Sequence, residues 1–308
     1  MAAKANKIAI IGHRGWAAGP IVEALAAESV QPIRILYRAG STVGNVPKNV
    51  ELAEYSWDQE SSLETALRGV DILISLIGHD GLHMQQKLIQ PMKAAAVKLF
   101  APSDLALPYT AEESATVAVP REKKELEHAL HDAGIPTVTV VIGNFTAFAL
   151  QSPYIGIDIP QNRIVFTGNS KTQPVYLCSR KYVAAGYASI FVYNSPTSLR
   201  GRTIGLNELH PTGAEIAAAM EERAGLPPQT AEESIENMRS QALEGNLAAL
   251  VRKKIAEGTH DVGSDIWDVA GYPKATIREL IVDGKLDEEQ SYIQPSEDTL
   301  HLLYKYFV

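Results

Sequence analysis

Short runs of β-branched residues alternate with longer stretches of helical periodicity between Lys7 and Ile142. The runs lie at Ile8–Ile11, Ile33–Tyr37, Val50–Ala53, Ile72–Ile77, Lys98–Ala101 and Thr137–Ile142. Where they are longest, the runs are apolar on both faces, which is typical of parallel strands that helices cover on two sides. The alternation therefore predicts an α/β fold with a doubly wound, right-handed parallel sheet.

This regular rhythm ends after Asn144, and short β-like pieces are then mixed with helical stretches. The pieces lie at Arg163–Thr167, Val175–Cys178 and Arg202–Leu206, and the helical stretches at Lys181–Phe191, Thr212–Arg223, Ala231–Ile255 and Lys274–Val282. We expect a first domain of residues 1–150 and a smaller, mixed α/β domain of residues 151–308. The second domain is expected to complete part of the first sheet, with the chain crossing between the two.

Composition excludes several classes of protein. A net charge of -8 and a pI near 5.5 lack the basic surface that nucleic acids and anionic membranes require. The single cysteine, Cys178, excludes an internal disulfide and a thiolate metal cluster, which favours a reducing compartment. The first apolar run has only four residues before Gly12, too few for a signal sequence or a membrane span. We therefore expect a soluble, cytoplasmic protein.

The first predicted strand ends in a glycine-containing turn that leads into an amphipathic helix. The turn is Gly12-His13-Arg14-Gly15-Trp16-Ala17-Ala18, a G-x-x-G-x-x-A pattern. Gly12 permits a tight turn, Gly15 lets a pyrophosphate approach the backbone, and Ala18 lets helix and strand pack closely. The helix N-terminus then offers unpaired N–H groups to phosphates, and Arg14 adds a positive charge. This position in the chain favours a Rossmann-type dinucleotide site over a purely structural turn.

The residues after the second predicted strand indicate which dinucleotide binds. NAD-binding proteins place a carboxylate there, which accepts hydrogen bonds from the ribose 2′-hydroxyl. Here the strand ends in Arg38, whose planar guanidinium can bind a 2′-phosphate, so we predict NADPH. The alternative is an arginine that is merely exposed on a loop. Asp58 either touches the adenine edge or caps the following helix, and we favour the cap.

Three further stretches, together with the turn, resemble one known family. Ala95–Asp104 resembles its A-G-V-K-R-F-x-P-S-E segment, Gly134–Thr139 its G-I-P-Y-T segment, and Ser198–Thr203 with Glu215-Ile216 its C-terminal pattern. The chain thus resembles the NmrA-like, atypical short-chain dehydrogenase/reductase group that includes the isoflavone reductases. The resemblance covers most of residues 7–225. Three departures are Ala18 for a third glycine, His13-Arg14 within the turn, and Asp104-Leu105-Ala106 for E-F-G.

The resemblance implies a functional lysine eleven residues before Gly134, which is Lys123. Independently, a helical stripe of spacing i, i+4, i+7, i+11 and i+14 contains Val119, Lys123, Leu126, Leu130 and Ala133. Lys123 therefore faces the sheet, whereas Lys124 points about 100° away. Such a lysine either serves a site as an acid or base, or extends to solvent or pairs with Glu127. Because the chain contains no Tyr-x-x-x-Lys, Lys123 is the best candidate proton donor.

Other candidate residues follow from the rule that ligands bind at the carboxyl ends of parallel strands. It adds to the cofactor site Leu76, Ile77, Gly78, Pro102, Ser103, Gly143, Asn144 and Phe145. His79 and Phe145 are candidate substrate contacts. His79 and His83 lack a third ligand, so we predict no metal site. We interpret Ser103 and Asp104 as a helix cap or loop support, and Tyr109 as either packing or chemistry.

These features favour an NADPH-dependent reductase with Lys123 as proton donor. The hydride acceptor is expected to be a carbonyl, an activated C=C or a benzylic carbon of a small aromatic or polyketide-like molecule. A second hypothesis is a non-catalytic NADP-binding redox sensor, resembling the regulatory members of the family. A third is a redox-neutral isomerase or cyclase on the same fold. The sequence leaves the oligomeric state open, a homodimer included.

Overall fold

The computed structural model describes residues 3–288 and 305–307, and every structural statement below concerns these residues. The strands are β1 (Ile8–Ile11), β2 (Ile33–Arg38), β3 (Val50–Tyr55), β4 (Ile72–Ser75), β5 (Leu99–Ala101), β6 (Thr139–Val141), β7 (Asn144–Phe145), β8 (Ile157–Asp158), β9 (Arg163–Thr167), β10 (Leu177–Cys178), β11 (Thr203–Leu206), β12 (Gln229–Glu233) and β13 (Ile266–Trp267). The α-helices are α1 (Ala18–Glu28), α2 (Glu60–Leu67), α3 (Ile89–Ala94), α4 (Ala111–Thr116), α5 (Ala118–Asp132), α6 (Thr146–Gln151), α7 (Arg180–Tyr193), α8 (Pro196–Leu199), α9 (Gly213–Ala224), α10 (Ile235–Leu243), α11 (Leu247–Ala256) and α12 (Ile277–Ile281). Short 3₁₀ helices lie at His79–Leu88, Pro153–Ile155, Gly168–Lys171 and Lys285–Glu288.

A parallel sheet forms the centre of the molecule. Five strands pair in the order β3-β2-β1-β4-β5, and three more in the order β6-β11-β13. A parallel bridge between Phe100 and Thr137 joins β5 to β6, with the Val138 N–H donating to the Phe100 carbonyl at 3.0 Å. The predicted α/β fold with a doubly wound parallel sheet is confirmed. Because the strand order reverses between β1 and β4, the crevice for a ligand opens at that point.

Helices cover both faces of the sheet, as the apolar strands require. In β1, Ile8 and Ile10 pack toward α1 and α7, whereas Ile11 packs toward α2 and α5 on the other face. All four residues of β1 and of β4 are buried. This two-sided burial fixes the strand ends, and with them the backbone that surrounds the crevice.

The second half of the chain contributes to two places. α7, β11 and β13 return to the first sheet, whereas β8, β9 and β12 form a separate three-stranded sheet. Helices α6, α9 and α11 enclose an apolar cluster beside that smaller sheet. The division into residues 1–150 and 151–308 stays a prediction, and residues 289–304 and 308 lie outside the described part of the chain.

Two predicted helical stretches are wrong in their extent. Ala231–Ile255 begins within β12 and then divides into α10 and α11, because Gly245 adopts the left-handed conformation (φ 96°) and Asn246 caps a new helix. The helix predicted at Lys274–Val282 is confined to α12, since Thr276 caps it at its start.

Candidate active site

The glycine turn after β1 has two glycines with different roles. Gly12 has a φ of 90°, and a Cβ there would lie 2.6 Å from the backbone carbon of Leu76. Only glycine fits this position, because β1 and β4 approach each other here. At Gly15 a Cβ would meet nothing closer than 3.7 Å, so no contact within the protein requires glycine. The open space in front of Gly15 therefore belongs to the neighbouring cavity.

The N-terminus of α1 has no capping group of its own. Its N-cap residue is Ala17, which provides no side-chain hydrogen bond, and the first turn contains no acidic residue. The Ala18 N–H donates to the Gly15 carbonyl at 2.9 Å, which closes the turn onto the helix. Such an uncapped N-terminus carries a partial positive charge and attracts an anion.

A cavity of about 300 Å³ opens over this turn. It brings together eight of the predicted cofactor residues, namely Gly12, His13, Arg14, Gly15, Arg38, Leu76, Ile77 and Gly78. It is also lined by six residues that the sequence analysis did not select, namely Leu36, Tyr37, Ser41, Tyr55, Trp57 and Met84. The turn and the end of β2 thus share one cavity, as a dinucleotide site requires.

His13 and Arg14, the unusual residues of the turn, hold the loop that follows β2. His13 Nε2 lies 3.1 Å from the Val43 carbonyl, and Arg14 Nη1 donates to the Thr42 carbonyl at 3.0 Å. Burial lowers the pKa of His13, which favours the neutral imidazole. The loop beside Arg38 is therefore anchored to the glycine turn.

Two guanidinium groups lie near an aromatic pair at one end of the cavity. Tyr55 and Trp57 pack edge to face with ring centroids 5.0 Å apart. Burial raises the pKa of Tyr55, and the charges of Arg38 and Arg14 act in the opposite direction. Within residues 3–288 and 305–307, neither arginine forms an ion pair with a carboxylate. This end of the cavity can therefore receive an anion next to a planar group.

The predicted role of Asp58 as a helix cap is wrong. The N-cap of α2 is Gln59, and no side chain caps that helix. Asp58 is exposed, and its N–H donates to Ser56 Oγ at 3.2 Å. The short Ser56-to-Gln59 turn places Asp58 one residue too early for the capping position.

Lys123 lies on α5 with only 11% of its side chain exposed, as its place in the apolar stripe predicts. Its ammonium group forms an ion pair with Asp104, from the loop after β5. The alternative prediction, an ion pair between Lys123 and Glu127, is wrong, because Glu127 pairs with Lys124 at 2.8 Å. Lys124 is 36% exposed, so the two neighbouring lysines differ in exposure and in ion-pair partner.

A second cavity of about 260 Å³ lies beside Lys123, between α5 and the strands β6 and β11. Pro102, Ser103 and Lys123 line this cavity rather than the first. Ser103 Oγ donates to the Ile77 carbonyl at 2.7 Å, and Ile77 lines the first cavity. The Ser103 N–H donates to Gln85 Oε1 at 3.0 Å. Ser103 therefore supports the loop, as interpreted, at the boundary between the two cavities.

The remaining predicted cofactor residues lie outside both cavities. Trp16 packs edge to face against Phe145 at 5.2 Å, and the Arg180 guanidinium lies 4.7 Å from the centre of the Trp16 ring. The Asn144 N–H donates to the Tyr176 carbonyl at 3.0 Å, next to Gly143. Ala17 and Ala18 form the start of α1 behind the turn. These residues surround the site without lining it.

His79 follows Gly78 at the rim of the site. Shielding from water lowers the pKa of its imidazole, and the positive charge of Lys123 lowers it further. The charge of Lys123 therefore acts on the His79 imidazole. In the described residues, no group of three or more His, Cys, Asp or Glu side chains is arranged to hold a metal.

No helix in residues 3–288 or 305–307 has the length and apolar character needed to cross a membrane.

Comparisons with known proteins agree with this architecture. A sequence profile of the NmrA-like family matches residues 4–258. The chain is 28% identical to an isoflavone reductase homologue of Zea mays, over 58% of this chain and 62% of that protein. It is 32% identical to a phenylcoumaran benzylic ether reductase of Populus trichocarpa, over 56% of this chain and 60% of that protein. The aligned part thus spans about 60% of the length of these relatives.

Among solved structures, the fold is similar to that of the leucoanthocyanidin reductase–NADPH complex from Vitis vinifera. The TM-score is 0.72 at 17% identity, covering 91% of this chain and 99% of that chain. This likeness concerns the fold alone. The match of the family profile to most of the chain, over a sheet with the glycine turn at its crevice, shows that the protein belongs to the NmrA-like family.

Proposed function

We propose that the protein is an NADPH-dependent reductase of a small organic molecule. The observation that carries this proposal is the cavity that joins the glycine turn, the uncapped start of α1 and the two guanidinium groups of Arg14 and Arg38. Each of these features favours negative charge, which the phosphates of a dinucleotide would supply. The NADPH complex of the Vitis vinifera reductase supports the choice of cofactor.

The residues present fit each part of this cofactor. Gly15 leaves room for the pyrophosphate, and Arg38 is free to bind the 2′-phosphate, since no carboxylate occupies its guanidinium among the described residues. The half-buried Trp57 ring offers an apolar face for the adenine at the same end. Leu76, Ile77 and Gly78 line the same cavity, and the Ile77 carbonyl accepts a hydrogen bond from Ser103, which lines the second cavity with Lys123.

Bound NADPH supplies the hydride, so the protein's own residues must orient the acceptor and supply a proton. We assign the proton to Lys123, whose ammonium group faces the second cavity. Its Nζ–H bond breaks as the proton moves to the acceptor, and the neutral amine regains a proton from water. His79 and Phe145 are proposed substrate contacts. The acceptor is a carbonyl, an activated C=C or a benzylic carbon of an aromatic or polyketide-like molecule.

Two further proposals concern the cellular compartment of the protein and the part of the chain that binds the substrate. The single buried Cys178 suits a reducing cytoplasm, where thiols stay free. The second half of the chain, with its separate apolar cluster beside β8, β9 and β12, is proposed to bind the substrate.

The test is NADPH consumption with a panel of aromatic aldehydes, enones, quinones and benzylic ethers. We expect turnover by the wild type with at least one class, and a loss of about a hundredfold or more in Lys123→Ala with NADPH affinity within a few-fold. Lys124→Ala is the matched control and should change little. Tight NADPH binding without any turnover would favour the sensor, and equal behaviour of the two lysine variants would reject Lys123 as the donor.

A further inference from the structure

The Lys123 ammonium is held from more than one side. Asp104 provides the carboxylate of the ion pair, and the Tyr109 ring lies with its centroid 5.7 Å from Nζ. Asp104 and Tyr109 both belong to the loop between β5 and α4. The loop therefore presents a charge and an aromatic face to the same amine, both of which attract a cation.

Tyr109 also lies beside a buried ion pair that joins α4 to α11. Lys254 Nζ lies 6.0 Å from the centre of the Tyr109 ring and donates to both carboxylate oxygens of Glu113 at 3.1 Å. Glu113 also accepts from the Thr110 N–H at 2.9 Å, in a capping box at the start of α4. The Tyr109 ring thus lies close to two ammonium groups, those of Lys123 and Lys254.

A neighbouring ion pair on the same helix provides a contrast. Lys124 and Glu127 are 36% and 66% exposed and have neither an aromatic neighbour nor a buried support among the described residues. Asp104 is only 22% exposed in its pair with Lys123. Two lysines one residue apart therefore differ in how firmly their charge is held, since exposed pairs in water interact weakly.

We propose that Asp104 and Tyr109 are positioning residues for Lys123, and that the Lys254–Glu113 pair fixes Tyr109 so that α11 supports the proton donor. This inference rests on the proposed role of Lys123. Asp104 directs the amine through the ion pair, and Tyr109 presents its ring to the same group. Asp104 and Lys123 both line the second cavity.

The first experiment measures the two lysines directly, without any substrate. Trace labelling with acetic anhydride, followed by mass spectrometry, gives the reactivity of Lys123 relative to Lys124. Because Asp104 covers the Lys123 amine and holds it in the ion pair, Asp104→Asn should free the amine and raise its labelling by about threefold or more. Glu127→Gln is the matched control and should raise the labelling of Lys124 by less than about twofold.

The second experiment measures turnover with an ortho-quinone or an α,β-unsaturated aldehyde. Asp104→Asn should lower kcat by about tenfold or more, with the KM for NADPH within about threefold, and Asp104→Glu should recover part of the loss. Tyr109→Phe keeps the ring and should retain kcat, whereas Tyr109→Leu should lower it. Thermal melting confirms that each variant is folded.

The outcomes distinguish a failure of this inference from a failure of the proposed function. Unchanged labelling of Lys123 in Asp104→Asn overturns the inference, whether or not the wild type turns over these acceptors. Full kcat in Asp104→Asn, beside a loss in Lys123→Ala, also overturns it while the proposed function stands. Normal turnover by Lys123→Ala rejects Lys123 as the proton donor, whereas absence of turnover by the wild type rejects the proposed reductase activity.

Discussion

Replacing Gly15 by valine should abolish cofactor binding without unfolding the protein. A Cβ at residue 15 would meet the Gly12 carbonyl at 3.7 Å and the Ala18 Cβ at 3.8 Å, both ordinary contacts. The added carbons then occupy the cavity where the pyrophosphate is proposed to bind. Loss of two charge-assisted hydrogen bonds at about 1.5–3 kcal/mol each raises the Kd for NADPH by about a hundredfold or more.

The assay is calorimetric titration with NADPH, with circular dichroism and thermal melting as checks on the fold. Gly12→Ala is the contrasting variant, because its Cβ would lie 2.6 Å from the Leu76 backbone at a φ of 90°. We expect it to cost about 2 kcal/mol or more of folding stability, whereas Gly15→Val should stay within about 1 kcal/mol of the wild type. Unchanged NADPH affinity in a folded Gly15→Val protein would refute the phosphate site.

Two further predictions concern cofactor choice and acid stability. The wild type should bind NADPH at least about tenfold more tightly than NADH, and Arg38→Asp should erase this preference; equal affinities of the wild type for both cofactors in calorimetry would reject the assignment. Burial lowers the pKa of His260 from 6.5 to about 4, so the unfolded chain takes up the proton first. The contribution of His260 to the free energy of unfolding should be complete above pH 6.5 and fall by up to about 3 kcal/mol as the pH drops to 4. Urea unfolding at a series of pH values should show this slope, and His260→Gln should reduce it. An unchanged slope in His260→Gln would contradict this origin.

Lys123 shows that helical periodicity predicts the burial of a residue but not its ion-pair partner. The stripe with Leu126 and Leu130 correctly predicts that Lys123 is mostly buried and that Lys124 is more exposed. Periodicity describes only one helix, so it favours partners such as Glu127 on the same surface. The actual partner, Asp104, lies 19 residues earlier on a loop, and only the packing of α5 against the end of β5 brings it near.

The aromatic end of the cofactor cavity was missed for a different reason. Tyr55 and Trp57 lie near a predicted strand without any glycine pattern or charge to mark them. In the sheet, β3 runs parallel to β2 with Tyr55 opposite Arg38. The strand order places residues at the end of β3 beside those at the end of β2, but the sequence analysis predicted a doubly wound sheet without an order for its strands. Combining strand order with register would have found Tyr55 and directed attention to Trp57.

The second half of the chain was harder to predict because its packing is non-local. β11 extends the first sheet by pairing with β6, and neither strand shows its partner in its own sequence. Likewise, the Lys254–Glu113 pair joins residues 141 positions apart. Local patterns identify elements such as α7 and α9, but their placement depends on contacts that arise only in the folded chain.

A single bound NADPH is proposed to contact the glycine turn, Arg38 and Lys123, and a crystal structure of the complex would test this arrangement. We predict the 2′-phosphate against Arg38, the pyrophosphate at Gly12 and Gly15, and the nicotinamide ring facing the Lys123 ammonium. A cofactor whose adenosine end avoids Arg38, or whose nicotinamide points away from Lys123, would overturn the proposal.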